Sequence, residues 1–546
     1  MAIWPTPKYF EHGDKYLWLD PLLRLEERYP EKEIGHVREW YRDLKPISFN
    51  SRPLIRDGYP RDFISSAFDD FRANLMSNRL VSEKFCPPSQ ARRYKATIES
   101  IIVSQDFDIR PQCMIPREVY SIQSMEDGFV RIQIVHAEGA LRAFQTLRQL
   151  FFYASEEKAM YTPHAPFNIR DAPTFEHRGL HLDISQNRIS PVDAKRTIKA
   201  MSFNKMNTLH LHRIDSSSWP IEIPSVSSLA KKDGFEENGV WNAQDLEVVT
   251  KYGLSHGVTV YPEVDPLGYT ASTSRSQPGL SITWSGLDWP LKITEAPDGQ
   301  LQLKPADVPP SLTASLSDFL DRTVPFSSVF HVGGREIDLK AWNSDLRKWE
   351  DDDTIPSSLK KSTKPLLQNF MSHIISLIPS YAMTPIIWED EFLEQGIDVP
   401  SDVTIQTWKS AQSLGEIVAQ DRRALFGPCE KRYLDRSPES GTFIEPNPRY
   451  HPRNDWYSPY NNWRNVISFE PLKDIPKEKR HLVVGGEVHL WGKFNEDMKT
   501  SLDKLLWPRA AEVLWNGKGN AGEETRKRLG EFMRRLIEMN IDPGWV

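Results

Sequence analysis

Residues 327–342 read SSVFHVGGREIDLKAW. A β-prone run, Ser328 to Val332, leads into Gly333-Gly334, and Arg335, Glu336 and Asp338 follow at once, with Trp342 six residues past the glutamate. Glycine lets a backbone turn sharply or lets another group approach closely. A short buried strand that ends in two glycines and then presents charge therefore reads as the mouth of a site. Taken alone, the stretch reads better as a loop with solvated charges. Seven other stretches of the same kind decide between the two.

Working outward from it, short β-rich runs alternate with helical ones from Arg178 to the C-terminus. The runs are RGLHLDI (178–184), MNTLHLH (206–212), GVTVYPE (257–263), SSVFHVG (327–333), TPIIWED (384–390), VTIQTW (403–408), ALFG (424–427) and HLVVGGEVHLW (481–491). Helix-like segments lie between them, such as Pro191 to Phe203, Asn242 to His256 and Leu359 to Ile378. Eight strands alternating with helices predict a (β/α)8 barrel, whose sites sit at the C-terminal strand ends. Those ends carry His212-Arg213-Ile214-Asp215, Glu263-Val264-Asp265, Arg335-Glu336, Trp388-Glu389-Asp390, Trp408 and Trp491. Aromatic walls with clustered carboxylates suit a sugar ring or another flat small molecule. Each tryptophan taken singly also reads as barrel packing.

Upstream, residues 1–170 read as a smaller α+β domain preceding the barrel of residues 171–546. Ile64 to Met76 and Gly139 to Tyr153 have helical spacing, while Tyr94 to Val103 and Phe129 to Val135 alternate like strands. The proline-spaced stretch Ala165 to Phe175 reads as a linker.

The chain has 546 residues, too many for one core, and a net charge of −7. With no basic run, nucleic acid is not an expected partner. No stretch of 18 apolar residues occurs, so no membrane span is expected. A homodimer is compatible with this reading. The first residues lack a basic and apolar leader pattern, no Asn-x-Ser/Thr acceptor occurs, and only Cys86, Cys113 and Cys429 are present. These features predict a reducing, cytoplasmic setting. No residues have metal-ligand spacing at the strand ends, so neither a metal nor an organic cofactor is expected.

RGLHLDIS, MSFNKMNTLHLHRIDSSSWP, EVDPLGY, HVGGRE, IIWEDE, IQTW, RYLD, VVGGEVHLW and LLWPRAAEVLW, in this order, resemble the β-N-acetylhexosaminidases of glycoside hydrolase family 20. That resemblance implies a small α+β domain before a catalytic barrel. It also implies substrate-assisted hydrolysis, in which the substrate's 2-acetamido oxygen attacks the anomeric carbon and forms an oxazolinium ion. By position, Glu336 matches the general acid, and Trp388, Trp408 and Trp491 match the acetamido cage and sugar platform. Tyr433 matches the acetamido-binding tyrosine, Asp435 a hydroxyl-binding aspartate, and Asp215 an acid of the supporting relay. Asp265 joins the substrate-binding set.

Four polar positions depart from the family pattern. Arg335 replaces the aspartate of His-x-Gly-Gly-Asp-Glu that holds the acetamido N–H. Gln186 stands for an arginine, Tyr269 for a histidine and Lys493 for a glutamate. The resemblance therefore predicts a glycosidase whose ordinary hexosaminidase activity is weak or lost. Two cations at former carboxylate positions, Arg335 and Lys493, suit an anionic sugar. The alternatives are a repurposed barrel enzyme that uses Glu336 as acid/base on another small molecule, and a binding protein without catalysis.

Overall fold

The computed structural model describes residues 3–28, 62–77, 79–82, 96–105, 116–125, 127–185, 189–212, 221–222, 224, 241–265, 281–283, 299–301, 310–335, 363–434, 463–491 and 508–541. Among the described residues, the N-terminal part is a six-stranded mixed sheet with two helices packed on it. A 20-residue strand, Tyr9–Arg28, pairs parallel with Thr97–Gln105 and antiparallel with Ala159–Asp171. Phe129–Ile134, Tyr120–Ser124 and Phe152–Ala154 complete the sheet. Helix Phe63–Ser77 buries Phe63, Ile64, Ala67, Phe68, Phe71 and Leu75, one face at helical spacing. Phe71 stacks on Phe144 of helix Ala137–Arg148 at 5.4 Å.

Two local expectations fail here. The helix predicted through Tyr153 ends at Arg148, because Phe152–Ala154 pairs with Met160 and its neighbours as an edge strand. The stretch read as a linker from Ala165 is largely strand, within Ala159–Asp171. Pro166 and Pro173 suggested a break because proline cannot donate to a ladder. Pro166 falls where the register against Tyr9–Arg28 slips, between His12 and Lys15, and strands tolerate proline at such irregularities, whereas Pro173 lies beyond the strand.

The eight runs picked out in the sequence are the eight strands of a closed parallel barrel. Numbered around it, they are β1 His177–Asp183, β2 Thr208–His212, β3 Thr259–Glu263, β4 Val329–His331, β5 Thr384–Trp388, β6 Thr404–Gln406, β7 Arg423–Phe426 and β8 Val483–Leu490. Pairing of β8 with β1, from Gly485↔His177 to Leu490↔Leu182, closes the ring. Strand alternation then sorts the side chains. Leu180, Leu182, Leu209, Leu211, Val488 and Leu490 pack in the large outer core, beside Ile198, Val249 and Leu367 of the surrounding helices. Their neighbours His181, His210, His212, Glu487 and His489 point to the axis, where they meet one another. Capping boxes start two of the outer helices. Ser190 and Asp193 serve Pro191–Phe203, and Asn242 and Asp245 serve Ala243–Ser255.

Sheet domain and barrel share a buried polar seam. Glu118 Oε1 accepts from Arg142 Nε and from Arg178 Nη2, both at 2.6 Å. Lys205, wholly buried, donates to Asp171 at 2.7 Å and to the Tyr120 hydroxyl at 2.8 Å, and Trp515 donates to the same aspartate at 2.9 Å. Among the described residues no helix is long and apolar enough to cross a membrane.

Candidate active site

The turn after β4 justifies its glycines. Gly333 and Gly334 have φ of +68° and +94°, a region costly for any residue with a Cβ. A Cβ on Gly333 would overlap Asp265, and one on Gly334 would overlap the Glu391 carboxyl. Asp265 Oδ2 accepts the Gly334 N–H at 3.3 Å, so this predicted substrate-binding residue supports the turn. The turn delivers Arg335 into the barrel mouth. Its guanidinium carbon lies 3.8 Å from the centroid of the Trp491 ring, and the residue is only 9 % exposed. At this distance over an indole face the contact is a cation–π pair.

Trp388, Trp408, Tyr433 and Trp491 come together as one aromatic cluster, from the ends of β5, β6 and β8 and the segment after β7. Three of the four are held by specific bonds, while Trp491 packs against Arg335 and His181. Trp408 donates its indole N–H to Asp390 at 2.6 Å, and Glu389 Oε1 accepts the backbone N–H groups of Trp408 and Lys409. Lys409 bonds Asp390 at 2.8 Å and also pairs with Glu394. The Trp-Glu-Asp sequence ending β5 is thus a clamp on β6. Tyr433 is set by a one-turn helix, Cys429–Arg432, and by bridging to His489 of β8. Trp388 donates to Glu263 at 2.6 Å and has no exposed surface, which makes it the floor of the cluster.

Below that floor lies a network that inspection of local motifs missed. Glu263 of β3 is met by His212 Nδ1 at 2.8 Å, His210 Nε2 at 3.1 Å and His181 Nε2 at 3.7 Å. Glu487 of β8 is met by His177 at 2.7 Å, His210 Nδ1 at 3.0 Å, the Tyr261 hydroxyl at 2.7 Å and Gln406 at 2.8 Å. Burial works against charge here. The contacts prevail at Glu263 and Glu487, where His212 and His210 respectively hold the carboxyls well below the usual range. For His210 burial is again opposed, by Glu487 and Glu263, and its pKa is pushed up to about 9. Burial wins at His181, held well below its ordinary value, and at His331 and His489, both lowered to about 3. Burial, then Asp265 and Asp390, raise the Glu391 carboxyl, which lies under the turn, well above its usual range. One signal in the sequence could have found the network: histidines recur at inward-facing alternate positions of β1, β2, β4 and β8. The groups His181–His212–Glu263 and His210–Glu263–His331 each place three possible metal-ligand atoms within 4.8 Å of one another. Sequence spacing hides both, because their members come from different strands.

Of the predicted site residues, Arg335, Trp388, Trp408, Trp491, Tyr433 and Asp265 are thus assembled at one end of the barrel. Glu336, Asp215, Asp435, Gln186, Tyr269 and Lys493 lie outside the described residues. The arrangement offers an aromatic surface for a flat ring, a buried cation against it, and a polar network beneath that fixes the surface in place.

The chain matches the catalytic domain of glycosyl hydrolase family 20 over residues 175–518, and a domain described as beta-acetyl hexosaminidase like over residues 3–150. It is 32 % identical over 577 aligned residues to a beta-hexosaminidase of Arthroderma benhamiae, covering 98 % of this chain and 93 % of that protein. It is 28 % identical over 572 residues to the rat beta-hexosaminidase subunit alpha, covering 99 % and 93 %. Its fold is similar to the Vibrio harveyi family 20 exo beta-N-acetylglucosaminidase solved with N-acetylglucosamine, with TM-score 0.71, 18 % identity, and coverage of 99 % and 78 %. The Streptomyces plicatus N-acetyl-beta-hexosaminidase gives TM-score 0.69 at 18 % identity, covering 99 % and 95 %.

Proposed function

The chain belongs to glycosyl hydrolase family 20, and from that premise we propose that it is a retuned glycosidase, poor on simple N-acetyl-β-hexosaminides and selective for a sugar bearing an anionic group. The observation that carries this reading is the Arg335 guanidinium, buried against Trp491 inside the aromatic cluster.

The physical argument is one of charge. Substrate-assisted hydrolysis builds positive charge at the anomeric centre and on the acetamido group, where the family pattern has an aspartate. A cation in that place changes the interaction by roughly twice a 4 Å pair energy, about 8 kcal/mol at an effective dielectric of 20. If movement of the side chain absorbs half, about 4 kcal/mol remains, on the order of 10³ in rate. Arg335 also leaves the acetamido N–H without its acceptor. A carboxylate, sulfate or phosphate on the sugar turns the same arginine from an obstacle into a bidentate partner. The aromatic cluster is retained, which supports a ring as the ligand.

Steady-state kinetics on a nitrophenyl N-acetyl-β-glucosaminide test the first half. The wild type should turn over about 10³-fold below an ordinary rate of roughly 10 s⁻¹, and Arg335→Asp should recover part of the loss. A wild-type rate in the ordinary range, or an Arg335→Asp variant slower than wild type, rejects the reading. Nitrophenyl sulfated N-acetylglucosaminides and uronides test the second half: Arg335→Asp should lower activity on the anionic substrate that the wild type prefers.

A further inference from the structure

His181 of β1, His212 of β2 and Glu263 of β3 meet on the barrel axis beneath Trp491, and none has exposed surface. Both ring nitrogens of His181 lack a hydrogen-bond partner, as does Nε2 of His212. A neutral imidazole carries one donor and one acceptor, and leaving either unmade in the interior is unfavourable. Native interiors meet such groups with a protein partner, a water or an ion.

The separations suit an ion. His181 Nε2 stands 3.7 Å from Glu263 Oε2, too long for a hydrogen bond. Two nitrogen or oxygen ligands of one tetrahedral zinc, each about 2.1 Å from the metal, stand roughly 3.4 Å apart. The three candidate ligand atoms lie within 4.8 Å of one another, so small side-chain adjustments close the set. Glu263 already has the outer support typical of a ligating carboxylate, since Trp388 N–H fixes its second oxygen at 2.6 Å. No lysine or arginine among the described residues bonds to Glu263. The overlapping group His210–Glu263–His331 is less available. His210 Nδ1 is engaged by Glu487 at 3.0 Å, and His331 Nδ1 accepts the Gly333 N–H at 3.0 Å.

We propose that His181, His212 and Glu263 form a binding site for one divalent transition-metal ion of the zinc class. Two imidazoles and a carboxylate select such an ion over magnesium or calcium, which prefer all-oxygen shells. The ion takes the place of the hydrogen shared by His212 and Glu263. Trp491 rests directly on this site, with ring centroids 3.9 Å from His181 and 4.8 Å from His212. Binding therefore fixes the seat of the aromatic platform.

The test uses the full chain, stripped with a chelator, dialysed against zinc or cobalt and analysed by atomic emission. One ion per chain is expected, with visible cobalt absorption. His181→Phe and His181→Asn should each weaken binding at least 100-fold, while His489→Leu, outside the set, should retain it. Zinc X-ray absorption on the wild type needs no variant and should show two imidazoles with oxygen. Fewer than about 0.1 ions per chain overturns the proposal. So does a sulfur donor or a single imidazole in the zinc spectrum, full binding by a folded His181 variant, or loss of binding in His489→Leu.

Discussion

Two buried polar networks run through this molecule and are built on opposite principles. In the seam between sheet domain and barrel, the carboxylates Glu118 and Asp171 meet opposite charges at short range. Glu118 serves two arginines through one oxygen, and Asp171 serves Lys205, Tyr120 and Trp515. On the barrel axis the carboxylates are equally well surrounded, but the histidines around them are not. His181, His212, His331 and His489 all keep ring nitrogens without a partner. A closed network costs nothing further once formed and holds two bodies in register. An open network retains capacity to bind, and it lies directly under the site.

The sharpest break in that comparison is Glu118→Ala. It leaves Arg142 and Arg178, each 1 % exposed, as uncompensated neighbouring cations. Urea denaturation should show a loss of about 3–5 kcal/mol.

A smaller effect concerns pH at the same seam. Burial, opposed by Arg423, pushes the Glu176 carboxyl up to about 8. The unfolded chain releases this proton near its ordinary value, so stability falls as pH rises toward 8 and levels off above it. The partly exposed side chain tempers the full linkage to about 2 kcal/mol. Glu176→Gln should flatten that slope in denaturation curves taken from pH 5 to 9.

The smallest effect is expected on the open side. In chelator-treated protein His181→Leu removes a residue with no hydrogen bond to lose, so stability should stay within about 1 kcal/mol of wild type or rise. A loss as large as that of Glu118→Ala would show that the two networks are equally closed.

Much of the fold was legible because alternation is a local signal. Eight short runs with apolar residues on one face are enough to name eight strands, and all eight close into the barrel. The sheet domain was less legible. Tyr9–Arg28 and Tyr120–Ser124 were not picked out, and the second half of Ala159–Asp171 was masked by Pro166, which sits at a register slip. Their strand character comes from pairing across long separations, which no window along the chain contains.

The sequence by itself determined the barrel, the order of its strands, and the aromatic residues and Arg335 at their ends. Each of these is a property of consecutive residues. Only the tertiary structure decided that Arg335 lies on Trp491, that Trp388 is a floor, and that histidines from β1, β2 and β4 converge on Glu263 and Glu487. The physical reason is register: alternation says which face a side chain takes, whereas the pairing of distant strands says which other side chains it meets there.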